Sequence, residues 1–293
     1  MSKPPYDPDR ERAWRWKAAA AQAHAELNLL YEPGNWGDVL KGTWAVHLAR
    51  TLAARAQDPV AYVDPYAGSP DYPLVPASAR RLEQLGAGAA RTFLEAQAPH
   101  AARGRLASTG TLVREAIQAA GVKFEARVFD AEADRQLAWA RVDGVEVLEL
   151  PSGEATLELE ARRVRAAELI LIDPYDFLDR WGAWLPKLKR AALRSSVLVY
   201  LYDTSPRGAG HANQYRRFRK ALEAWAQETP ILLGRLAADA RAPRAYHEML
   251  LAGALAEDAG LRERLREESE ALAGLLGHGE GFGALGRNVN RVT

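Results

Sequence analysis

Three apolar runs in this 293-residue sequence stop at an aspartate, and those carboxylates are the first candidates for chemistry. Val60-Ala61-Tyr62-Val63 ends in Asp64-Pro65 and the small-residue turn Ala67-Gly68-Ser69-Pro70. Phe124-Glu125-Ala126-Arg127-Val128-Phe129 ends in Asp130, and Leu169-Ile170-Leu171-Ile172 ends in Asp173-Pro174-Tyr175-Asp176-Phe177. Short β-branched and aromatic runs closed by Asp, Pro or Gly are strands with loops at their carboxyl ends. In parallel sheets that edge receives ligands, so three acidic strand ends together point to one site more strongly than any one of them. Small residues around Gly68 let a ligand approach the backbone, although a tight turn without a ligand uses the same residues. Asp130 suits the two hydroxyls of a ribose, or equally the N-cap of a helix starting near Ala131. At Asp173, Pro174 and Tyr175, carboxylate and carbonyl oxygens accept hydrogen bonds from an exocyclic amine while a ring stacks on the base. A strand stop followed by a helix cap is the plainer reading of that segment.

The elements that must position these residues alternate. Further strands are expected at 145–150, 196–202, 230–233 and 246–251, giving seven in all. Helices are expected at 10–30, 36–56, 78–97, 111–120, 133–141, 178–194, 212–227 and 256–276, with a break at Ala98-Pro99-His100. Strands alternating with helices imply a doubly wound parallel sheet. The short connection 237–245 joins the last two strands without a helix, which is the closing arrangement of the class I methyltransferase, Rossmann-like α/β fold. The expected organisation is an N-terminal helical extension over 1–57 and a core domain over 58–253 with a helical insertion at about 76–120. A C-terminal helix and a mobile glycine-rich tail, 254–293, complete it.

Composition excludes several classes. The chain is 26% charged and 48% hydrophobic with a net charge of +1, so any basic surface must arise from local clustering. There are no cysteines, which removes disulfides, thiolate metal sites and cysteine nucleophiles. The six histidines lack paired ligand spacing, so no metal is expected. The polar amino terminus carries no signal-like apolar stretch and no run is long enough to span a bilayer, so no membrane association and a cytoplasmic location are expected. One local cluster interleaves basic and aromatic residues: Arg207, His211, Tyr215, Arg216, Arg217, Arg219 and Lys220. It suits phosphates with a stacked base, or a solvated helix face with Phe218 in the core. Arg10–Lys17, with Trp14 and Trp16, is either an RNA-contacting arm or a helix packed on the domain.

Three segments carry a family resemblance. Tyr31-Glu32-Pro33-Gly34-Asn35-Trp36-Gly37-Asp38-Val39-Leu40-Lys41 resembles the Gly-Asn-x-x-Asp-Val-Leu-Lys segment of the ribosomal RNA large-subunit methyltransferase J family. Tyr62-Val63-Asp64-Pro65-Tyr66-Ala67-Gly68 and Leu169-Ile170-Leu171-Ile172-Asp173-Pro174 are similar to its two strand-end motifs, in the same order. The resemblance implies transfer of a methyl group from S-adenosylmethionine to adenine N6 in nucleic acid, RNA more than DNA. It assigns catalysis to Asp173, Pro174 and Tyr175, and cofactor binding to Lys41, Asp64, Tyr66, Gly68, Gly110, Asp130 and Ser152. The sequence departs from the family at several of these positions. The family's Asp-Pro-Pro-Tyr is Asp173-Pro174-Tyr175-Asp176, its histidine after Lys41 is Gly42, and its first-strand histidine is Tyr66. Its Gly-Ser-Pro turn is Thr109-Gly110-Thr111, and its third-strand aspartate is Ser152. The Asp-Pro-aromatic pattern is also similar to three-Cys-motif partner proteins. Two further readings therefore stand beside the first: a non-catalytic binding module of the same fold, and a methyltransferase acting on an acceptor other than nucleic acid.

Overall fold

Helix α1, Trp36–Arg55, shows how the molecule is built. Asn35 caps it, its side-chain oxygen accepting from the Asp38 amide at 3.1 Å, and apolar residues occur around its whole circumference rather than along one stripe. Such a helix must be covered on all sides. In the computed structural model α1 lies against the sheet between two other helices, with Trp44 fully buried and its indole N–H donating to Ser269 Oγ at 3.0 Å. The structure describes residues 33–56, 59–86, 88–174, 177–204, 209–237, 245–276 and 281–285. The helix expected at 10–30 lies outside them.

After α1 come β1 (Val60–Asp64), β2 (Asp71–Pro73), α2 (Pro76–Leu85), α3 (Arg91–Ala101), β3 (Arg105–Ala107), α4 (Thr109–Ala119), β4 (Phe124–Val128), α5 (Ala133–Trp139), β5 (Val145–Val147) and α6 (Gly153–Glu160). Then follow β6 (Leu169–Ile172), α7 (Phe177–Ala192), β7 (Ser196–Thr204), α8 (Ala209–Trp225), β8 (Ile231–Ala237), β9 (Ala245–Ala252), a 3-10 turn (Ala254–Glu257), α9 (Ala259–Leu276) and β10 (Gly281–Leu285). The main sheet has the order β10-β8-β9-β7-β6-β1-β4-β5. Strands β4, β5, β6 and β7 join β1 in parallel ladders, whereas β9 runs antiparallel to both β7 and β8. This is the class I methyltransferase, Rossmann-like α/β sheet, with β10 added at one edge.

Successive strand residues face opposite sides. Tyr62, Ala126, Leu171, Leu198, Met249 and Leu251 pack toward α1, α4 and α9. Ala61, Val63, Ile170, Ile172, Val197, Val199 and Leu250 pack toward α6, α7 and α8. Both faces are covered, which is why the central strands are continuous apolar runs.

Five features differ from the sequence expectation, the first being α6, where no helix was expected. The single helix expected at 78–97 is two, because Ala90 adopts a left-handed conformation (φ 47) between α2 and α3. Pro99 does not break the chain but sits in the last turn of α3, where it forgoes the one backbone hydrogen bond to the Glu95 carbonyl and little helix follows it. Strands β2 and β3 pair antiparallel, clamped by Arg105 on Asp71 at 2.6 and 2.9 Å. They are three residues each, too short to show a period. Within the glycine-rich tail, expected to be mobile, Gly281–Leu285 pairs antiparallel with β8, using backbone hydrogen bonds that need no apolar side chains.

Candidate functional site

The chain leaves β1 toward β4 on one side and β6 lies on the other, so the crevice above β1 is the switch point where such sheets bind ligands. The carboxyl ends of β1, β4, β6 and β7 open there into a cavity of about 450 Å³. Asp64, Asp130 and Asp173 all line it, as do Lys41, Tyr66, Gly68, Gly110 and Pro174.

At one end, Asp130 accepts from the Gly68 amide at 2.9 Å and from the Glu132 amide at 2.9 Å, with the Arg135 guanidinium at 3.4 Å. The second bond is a local Asx turn. The N-cap of α5 is Glu132 rather than Asp130. Asp130 thus ties the loop after β1 to the loop after β4. Gly68 has φ 61, a left-handed value that glycine adopts without strain, and its carbonyl accepts the Trp139 indole N–H at 2.9 Å. Gly110 lies in the first turn of α4, which Ser108 caps through the Thr111 amide at 3.2 Å. A backbone that close to the cavity, with an acidic side chain beside it, fits the sugar and base of a nucleoside.

The middle of the cavity holds Asp64, which is 2% exposed. Burial pushes its carboxyl up to about 7, opposed by hydrogen bonds from the Tyr66 amide (3.0 Å) and the Tyr62 hydroxyl (2.9 Å).

At the other end, α1 reaches the mouth of β6. Lys41 Nζ lies 2.5 Å from Asp173 Oδ2 and 3.0 Å from Asp38 Oδ1. Burial disfavours the ammonium, but Asp173 and Asp38 outweigh it and hold the Lys41 pKa well above its ordinary value. Burial also raises the Asp173 pKa, against the pull of Lys41. The Pro174 carbonyl accepts from the Phe177 amide at 3.3 Å, leaving its second lone pair for another donor. Asp38 in turn accepts from the Gly34 amide at 2.9 Å, which closes the turn ahead of α1.

Of the other expected site residues, Ser152 does not line the cavity. Its hydroxyl accepts from the Ala155 amide at 3.3 Å and caps α6. Tyr175, Asp176 and Arg207 lie outside the described residues. The basic cluster lies on α8, which includes His211, and none of its described side chains lines the cavity. Arg216, Arg217 and Lys220 are exposed and Arg219 is partly buried. Tyr215 donates to Glu248 Oε1 at 2.5 Å and packs on the core rather than standing free for stacking, while Phe218 is fully buried. Among the described residues no group of three potential metal ligands occurs, and no helix is long and apolar enough to cross a membrane.

The sequence reading missed Asn35, Tyr72, Tyr200, Tyr202 and His247, all of which line the cavity. Asn35 lay inside a quoted motif. The tyrosines of β7 and the histidine of β9 sit inside strands, where nothing local distinguishes a cavity-facing residue from a core one.

No protein-family model matches the chain, and no curated protein sequence does. Solved structures do. Protein LPL1258 from Legionella pneumophila, family model DUF519, aligns over 86% of this chain and 97% of its own, with 11% identity and a TM-score of 0.62. An rRNA methylase from Streptococcus thermophilus aligns over 71% of this chain and 96% of its own, at 11% identity and TM-score 0.36. The plantazolicin methyltransferase BpumL, in complex with a pentazolic desmethylPZN analog and SAH, aligns over 85% of this chain and 92% of its own, at 9% identity and TM-score 0.40. The first of these shares the fold of this chain.

Proposed function

We propose that this chain is an S-adenosylmethionine-dependent methyltransferase whose acceptor is the exocyclic amine of adenine in nucleic acid, RNA rather than DNA. One observation carries the reading. One cavity at the switch point brings together Gly68 with Asp130, which suit a nucleoside, and Asp173 with Pro174, which suit an amine donor. S-adenosylmethionine, when bound, would supply the electrophilic methyl group.

The protein's part is positioning. Asp130 and the Gly68 backbone hold the nucleoside portion. The free oxygen of Asp173 and the Pro174 carbonyl accept the two amine protons and turn the nitrogen lone pair toward the methyl carbon. Adenine N6 is a weak nucleophile because its lone pair is delocalised, so orientation and desolvation supply much of the rate. Burial raises the Asp173 pKa, and the Lys41 ammonium at 2.5 Å opposes that rise and favours the carboxylate. The amine proton is lost after transfer, when the nitrogen has become acidic, and Asp173, hydrogen-bonded to that amine in this reading, receives it.

Calorimetric titration of the purified, cofactor-stripped chain with S-adenosylmethionine and S-adenosylhomocysteine tests the reading. Micromolar binding that weakens at least tenfold in Asp130→Ala is expected. Absence of binding at millimolar ligand would overturn it, leaving a binding module with this fold. Labelled methyl transfer to RNA, DNA and protein then tests the acceptor class, and Asp173→Ala is expected to abolish turnover while cofactor binding persists.

A further inference from the structure

Beside Lys41, the acceptor end of the cavity is walled by two residues to which the proposed chemistry gives no task. Tyr200 on β7 and His247 on β9 both line it, with the Tyr200 hydroxyl 2.6 Å from His247 Nδ1. The two rings lie at 25° with centroids 6.0 Å apart, and Tyr202 packs on the imidazole at 5.1 Å. Helix α1 closes over the pair so tightly that a Cβ at Gly37 would stand 2.6 Å from Nδ1 and collide with the phenol oxygen. The imidazole is therefore held in one place by three elements.

Its tautomer follows from its neighbours. A phenol O–H is a stronger donor than a neutral imidazole N–H, and an imidazole nitrogen a stronger acceptor than a phenol oxygen, so in this pair the Tyr200 hydroxyl donates to Nδ1. Nδ1 then carries no proton, and the ring hydrogen sits on Nε2. Burial pushes the His247 pKa down to about 3, so the ring is neutral. Nε2 has no partner among the described residues, which leaves one fixed N–H donor on a residue that lines the cavity.

The sheet register sets the span. Ile172 pairs with Val199, which puts Asp173 level with Tyr200, while His247 pairs with Tyr202. β6 and β9 flank β7, so about 10 Å, two strand spacings, separates the strands that carry Asp173 and His247. The two residues thus approach the cavity from different strands and at different levels of the sheet, so a base held by both takes a hydrogen bond at each end, for which a bicyclic base offers more length than a single six-membered ring. We propose that His247 is a purine-reading residue. Its Nε2–H donates to a ring nitrogen of the acceptor base while Asp173 and Pro174 hold the amine, so the site prefers adenine to cytosine. This rests on the reading that the acceptor is a nucleobase amine.

The test uses the full chain saturated with S-adenosylhomocysteine, titrated with single-stranded oligoadenylate and oligocytidylate, alongside a separate S-adenosylmethionine titration. The wild type is expected to prefer oligoadenylate. His247→Ala is expected to lose about tenfold in oligoadenylate affinity, with oligocytidylate and cofactor binding unchanged. His247→Gln, which keeps an N–H donor near that position, is expected to retain most of the preference. Unchanged oligoadenylate binding in His247→Ala overturns the proposal. So does an equal loss for both oligonucleotides and the cofactor in both variants, which marks a packing role. A wild type without preference for oligoadenylate also overturns it, and intact cofactor binding in that case leaves the methyltransferase reading standing.

Discussion

Lys41 Nζ stands 2.5 Å from Asp173 Oδ2, joining α1 to the mouth of β6 across 132 residues of sequence. With side-chain exposures of 12% and 21%, neither charge is well solvated, and each depends on the other. Removing one partner of such a pair leaves an uncompensated charge. Lys41→Met is expected to cost about 3 kcal/mol, the low end for a buried pair, because solvent still reaches Asp173. The double variant with Asp173→Asn should recover most of that loss, as read by urea denaturation in a double-mutant cycle.

Asp64 gives the fold a pH dependence. An unfolded aspartate titrates near 3.9, whereas burial pushes this carboxyl up to about 7. The folded chain holds the proton more tightly, so the associated stability is fully present below about pH 4 and is lost as pH rises through about 7. Asp173, also raised by burial, acts in the same direction. Relative to Asp64→Asn, the wild type is expected to lose on the order of 2 kcal/mol between pH 5 and pH 8. Denaturation midpoints measured in parallel across that range check it; parallel curves for the two proteins would contradict it.

Gly37 faces the Tyr200–His247 pair from α1. Alanine is the better helix former by about 1 kcal/mol, yet here its methyl group has no room. Gly37→Ala is expected to destabilise the protein by about 1–3 kcal/mol through overpacking. Thermal unfolding gives the magnitude, and a stabilised variant would show that α1 shifts freely.

The exposed α8 residues Arg216, Arg217 and Lys220 lie away from the cavity walls. If they hold phosphates, each neutral substitution lowers the slope of log affinity against log salt by about 1 and weakens all sequences alike. Fluorescence anisotropy with a labelled RNA at several salt concentrations reads this out, with cofactor affinity expected unchanged. An unaltered slope in the triple variant assigns the cluster to a solvated face.

Strand β10 covers the outer edge of β8 through the register Gly281↔Arg235 to Leu285↔Ile231. Truncation after Leu276 exposes that edge to pairing with other chains. Concentration-dependent self-association of the truncated protein, followed by size-exclusion chromatography with light scattering, is the expected result; a monomer at all concentrations would show the edge to be protected without β10.

Asp64, Asp130 and Asp173 were legible in the sequence because each ends an apolar run, and a parallel sheet brings such ends to one edge. The alternation of helices and strands likewise fixed the doubly wound sheet, since a run buried on both faces leaves a continuous apolar signature. The pieces that escaped were those without a local period: the three-residue strands β2 and β3, the glycine-rich β10, and α6. Ser152 shows the complementary limit, since a residue at a position with a family role serves here as the cap of a helix. Tertiary structure alone decided the acceptor end of the site. Tyr200 and His247 are 47 residues apart and meet because β9 inserts antiparallel between β7 and β8, which hydrogen-bond pairing between strands selects and side-chain pattern does not encode. Lys41 meets Asp173 because α1, apolar all round, must be buried across the sheet.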